Sequence, residues 1–118
     1  MPDWVRPTDI GFDHAAAQAA IEAAAAMRFT LGRTWHAEDQ AARVALGSWE
    51  GAASDGFRES MSRRGRRTAA ASDELAALQR HLERAVDDAL LAQRRVETAQ
   101  QAWDREQRSD TAREPSRG

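Results

Sequence analysis

The residue types able to do chemistry in this 118-residue chain are three histidines, a scatter of paired acids and a cluster of arginines. His14, His36 and His81 lie far apart, with no His-Glu-x-x-His spacing, no cysteine and no glycine-rich phosphate loop. The acid pairs Glu38-Asp39 and Asp87-Asp88 are neighbours in sequence and so diverge on a helix, as solvated faces do. This pattern forms no catalytic or metal-ligating motif, and a two-helix hairpin offers no concave pocket of the usual kind, so the expectation is a non-enzyme with no catalytic residue, no metal, no cofactor and no small-molecule substrate. The one local concentration of charge is Arg63, Arg64, Arg66 and Arg67 around Gly65, with Arg58 before it. Such a patch could meet phosphates, an anionic membrane surface or an acidic partner. Consecutive arginines fan round a helix, however, and the simpler reading is a solvated face pairing with Glu59 or with acids elsewhere.

The elements that must carry these residues are helices. Alanine supplies 26 of 118 residues, there is no Tyr or Cys and there are only three prolines, a composition that suits an all-α chain with narrow helix interfaces. All 17 basic residues are Arg, and the formal net charge is −2, so no global polyanion binding is implied. No run of 18 apolar residues exists to span a membrane. Met1-Pro2-Asp3-Trp4 places an acid where a cleaved signal would need a basic region.

Residues 1–12 read as an arm, kept from helix by Pro2, Pro7 and Gly11 and carrying Trp4, Val5, Ile10 and Phe12. A helix is expected over 13–46, with Asp13 as its N-cap and Ala17, Ile21, Ala24, Leu31, Trp35, Ala42 and Ala45 as a seam at three-and-four spacing. Phe29 and Val44 fall off that seam. A turn follows over 47–51, in which Gly47 is expected to end the helix in a left-handed conformation and Trp49 to fold back over the helix ends. A second helix is expected over 53–107. Met61, Thr68, Leu75, Leu82, Ala89, Val96 and Trp103 recur every seven residues along it, and Phe57, Ala71, Leu78, Ala85, Ala92 and Ala99 give the companion row, interrupted by Arg64. Gly65 is the place where this helix is expected to bend or fray. Residues 108–118 read as a disordered tail.

Folded about Trp49, facing residues should have numbers summing to about 98 to 100. The first helix then runs out opposite about residue 86, so the end of the second, with Leu90, Leu91, Val96 and Trp103, needs a cover. Twelve extended residues reach about 40 Å, and the arm has the matching apolar groups.

Gly47, Trp49 and Gly51 between two helical runs, with Phe57 eight residues after Trp49 and the Leu75, Leu78, Leu82 spacing beyond, resemble the WXG family of type VII secretion systems. The resemblance covers roughly residues 13 to 105. It implies an antiparallel two-helix hairpin with a Trp-x-Gly turn, assembling into a four-helix bundle dimer. It implies as partner a second WXG-like hairpin, identical or different, and beyond it a larger secreted toxin and the type VII ATPase. The helix seams, with Leu31 and Trp35 on one side and Phe57, Met61, Leu75, Leu78, Leu82, Val96 and Trp103 on the other, would meet that partner. The resemblance also implies cytoplasmic synthesis followed by export or cell-surface display. The family's Tyr-x-x-x-Asp/Glu export motif is absent: Trp103 is followed four residues on by Gln107, with Glu106 at three. The expectation is therefore either a signal-less member of a pair, carried by its partner, or a chaperone for a larger substrate. The alternative is an arginine-patch adaptor binding nucleic acid or an anionic membrane surface.

Overall fold

A computed structural model describes residues 5–113, which form two α-helices. Helix α1 is His14–Leu46 and helix α2 is Ala52–Arg113, of 33 and 62 residues. Trp4 and residues 114–118 lie outside the described residues.

Both helices follow from long runs rich in alanine and arginine with no internal proline. Helix α1 stops at Gly47, whose amide reaches back to the carbonyls of Arg43 at 3.1 Å and Val44 at 3.3 Å. Gly47 does not take the left-handed conformation expected of it; among the described residues only Gly51 does, with φ of 100°. The reversal is thus made one turn later, where α2 begins. There the Gly51 carbonyl accepts from the Asp55 amide at 3.1 Å and the Ser54 hydroxyl at 2.8 Å, and Ser54 is almost wholly buried. Asp55 in this first turn also suits the positive end of the helix dipole. At its far end α2 continues through Arg113 rather than stopping at Gln107. Nothing between Asp104 and Arg113 breaks a helix; the first proline is Pro115.

The chain divides into two compact units, one of Ala15–Glu83 and one of the N-terminal segment to His14 with Arg84 onward. In the first, α1 and α2 pair as a hairpin. Trp35 lies against Gly65, and Arg64 Nη2 meets Glu38 Oε2 at 2.7 Å, a register close to the one that the bend implies. A β-carbon added at Gly65 would sit 2.8 Å from the Trp35 ring. Gly65 is therefore no fraying point: α2 runs unbroken through it, and its missing side chain is the space the indole fills.

The core is thin. Its buried apolar members are Ala17, Ile21, Ala24 and Ala42 of α1 and Ala89 of α2, and no large side chain among the described residues is fully buried. The α1 seam differs from expectation at its end, where Leu46 is half-buried and Ala45 exposed. On α2 the seven-spaced row from Met61 to Trp103 is half-buried or buried at every position. Of the expected companion row, Phe57, Ala71, Ala85 and Ala92 are half-buried, but a second row is covered as well. Leu78 is 48% exposed and Ala99 is exposed, whereas Gly65, Ser72, Gln79, Val86, Gln93 and Gln100, one residue further on, are all half-buried or buried. Trp35 fixes the start of that row and hydrogen bonds from the arm fix its end.

Candidate interaction surfaces

In the second unit, residues 5–10 lie along α2 and are held by polar contacts at three positions. Gln100, 9% exposed, donates both hydrogens of its amide, to the Pro7 carbonyl at 2.8 Å and to Asp9 Oδ1 at 2.9 Å. Proline has no amide hydrogen, so its carbonyl is the one backbone group that Pro7 must satisfy, and Gln100 does so. Gln93 works in both directions: its Oε1 accepts from the Ile10 amide at 2.8 Å and its Nε2 donates to Asp9 Oδ1 at 3.1 Å. Arg6 forks onto Asp104, Nε to Oδ1 at 3.1 Å and Nη2 to Oδ2 at 3.3 Å. Gln93, Gln100 and Asp104 are spaced by seven and four, which sets them on one face of the helix.

These contacts shift the charged groups that make them. The hydrogen bonds from Gln100 and then Gln93 hold the Asp9 carboxyl below the usual carboxylate range, with Arg6 helping and desolvation opposing. The hydrogen bond from Arg6 does the same for Asp104, and that carboxylate in turn raises the guanidinium of Arg6. The apolar groups of the arm contribute less than the sequence suggests, since Val5 is 78% and Ile10 40% exposed. Val5 and Pro7 do line a small cleft with Ala99, Ala102, Trp103 and Glu106. The Trp103 Nε1 is buried and has no hydrogen-bond partner among the described residues.

In the first unit the structure brings Trp49 and Phe57 together, ring centroids 5.7 Å apart, with Trp49 still 41% exposed. Trp49 is thus a partly covered cap at the bend and not a ring enclosed between the helices. Leu31, Trp35, Phe57, Met61, Leu75 and Leu82 are half-buried in this unit, and Val96 and Trp103 are half-buried in the other. Phe29 and Val44, off the seam, are 65% and 79% exposed, and Met27 is 58% exposed. The arginine cluster is partly engaged within the chain. Arg64 pairs with Glu38, and Arg63 reaches Glu59 at 3.9 Å and the Ser60 hydroxyl at 3.2 Å. Arg66 and Arg67 are exposed and make no ion pair among the described residues.

The glutamines are what sequence reasoning missed. Gln93 and Gln100 stand at the row four residues beyond the apolar one, and that periodicity was the available signal. Among the described residues no group of three or more His, Cys, Asp or Glu side chains is placed to hold a metal, and no helix is long and apolar enough to cross a membrane. Set against protein-family models, curated proteins and solved structures, the chain matches none.

Proposed function

We propose that this chain is a non-catalytic pairing module, a helical hairpin that acts by laying its apolar flank against a second hairpin to complete a four-helix bundle. The observation that carries the reading is the thin core. Every large apolar side chain on the α2 seam keeps part of its surface in water, and Met27, Phe29, Val44 and Leu78 are exposed outright. Fully burying a large apolar side chain contributes about 1.5 to 3 kcal/mol, so covering a few of them is comparable with the whole stability of a small domain. Leu78, with the half-buried Ala71, Ala85 and Ala92 at seven-residue spacing beside it, is the part of α2 best suited to a neighbouring helix, because small residues allow close approach.

The resemblance to the WXG family gives this pairing a setting. In that setting the chain is a type VII secretion substrate or the partner or chaperone of one, working as a dimer. The lack of a Tyr-x-x-x-Asp/Glu motif favours a role as the carried member or the escort. Multi-angle light scattering of the purified chain at micromolar concentration, with circular dichroism over a dilution series, tests the pairing. Concentration-dependent helicity and a dimer mass support it. A fully helical monomer that binds no hydrophobic dye sinks it. Secretion itself is tested by following the tagged chain in culture medium with and without the type VII ATPase.

A further inference from the structure

The face of α2 that holds the arm is a recognition site with its own chemistry. Gln93, Gln100 and Asp104 together read a carbonyl at Pro7, an amide at Ile10, a carboxylate at Asp9 and a guanidinium at Arg6. Two of these are backbone groups of a non-helical segment, and two are side chains of opposite charge. The residues 6–10 of this chain are the ligand whose chemistry matches that set. None of the contacts depends on the covalent link between arm and helix. The chain passes from one compact unit to the other just after His14, and Gly11 is exposed, with nothing within 4 Å of where its β-carbon would be. The arm also buries little of Val5 and Ile10, so it is held by exchangeable polar contacts more than by a sealed apolar interface.

We propose that the Gln93–Gln100–Asp104 face binds the N-terminal arm of a second copy of the chain in place of its own, so that two copies are strapped together by reciprocal arm exchange. Exchange reproduces each of these contacts between chains; it costs the joining of two molecules and a rearrangement of the link at residues 11–13, where the half-buried Phe12 ring lies edge-on to His14 with centroids 4.8 Å apart, and it gains with concentration. It goes beyond the pairing of hairpin flanks and does not rest on it, because no apolar flank takes part.

Two full-length variants test this. One has a disabled arm, Arg6→Ala with Asp9→Ala, and the other a disabled face, Gln93→Ala with Gln100→Ala and Asp104→Ala. Since the chain has no cysteine, single cysteines report contact cleanly. In the matched mixture Thr8→Cys is placed in the chain with the intact arm and Gln101→Cys in the chain with the intact face. In the reversed mixture the two cysteines are exchanged, so that they report on a disabled arm and a disabled face. With a short bis-maleimide, exchange gives several-fold more cross-linked heterodimer in the matched mixture. Equal yields overturn it, whether or not the hairpins pair by their flanks. Circular dichroism checks that both variants remain helical; if the triple alanine variant is not, Gln93→Glu with Gln100→Glu disables the face by repelling Asp9 and serves in its place.

Discussion

A glycine inside a helix costs about 1 kcal/mol relative to alanine, and at Gly65 that cost is offset by the indole it admits. Gly65→Ala is therefore expected to destabilise the hairpin, against its helix propensity, because the new methyl meets the Trp35 ring at 2.8 Å. Overpacking of this kind costs about 1–3 kcal/mol. Urea denaturation should show the loss, and combining it with Trp35→Leu should recover part of it, the coupling that a double-mutant cycle measures. Trp49 makes the opposite case. It touches Phe57 but keeps 41% of its surface exposed, so Trp49→Ala should cost about 1–2 kcal/mol, short of the roughly 3–5 kcal/mol of an enclosed aromatic. A thermal shift near zero would make Trp49 a free docking residue. A loss at the enclosed value would mean that a second chain covers it.

At the scale of elements the arm and α2 answer to pH. Asp9 and Asp104 are both held below their ordinary range by hydrogen bonds made only when the arm is docked. Their contribution is fully present above the usual carboxylate pKa and is lost as pH falls through the lowered values; Arg6, raised, stays charged throughout. Acidification should therefore detach the arm before the hairpin melts. Limited proteolysis with an acid-active protease should register this as new cleavage near Val96 and Trp103, the same region that deleting residues 1–12 should expose at neutral pH. A cleavage pattern that does not change with either treatment would overturn the docking.

The need for a cover over the end of α2 was legible in the sequence, because seven-residue spacing placed Val96 and Trp103 beyond the reach of α1. How the cover is fastened was not. Gln93 and Gln100 read as solvent-facing by residue type, and only the non-helical arm beside them gives their amides something to bind. The same bias toward apolar residues selected the companion row of Phe57, Ala71, Ala85 and Ala92, which is half-buried, but it also took in the exposed Leu78 and Ala99 and passed over the row of Gly65, Gln79, Gln93 and Gln100 one position further round. Helix bounds were read within a residue or so where Gly47 and Gly51 mark them, and fell short at Arg113, where no breaker stands.

For the whole molecule, hairpin pairing and arm exchange both raise mass with concentration, but only pairing raises helicity, and the two separate under salt and acid. Pairing through apolar flanks should survive molar salt, whereas the Arg6–Asp104 part of the strap is screened. Sedimentation in low and high salt should leave the dimer mass unchanged if the flanks carry the association. The placement of the tryptophans provides the means to follow each event. Trp49 sits at the bend, Trp35 on Gly65 within the hairpin and Trp103 in the cleft beside the arm, and there is no tyrosine to pass excitation among them. Replaced by phenylalanine two at a time, with Trp4 also replaced, they leave one emitter at a chosen station. Its emission colour and quenching then give a local reading of bend, hairpin or strap from the chain's own light.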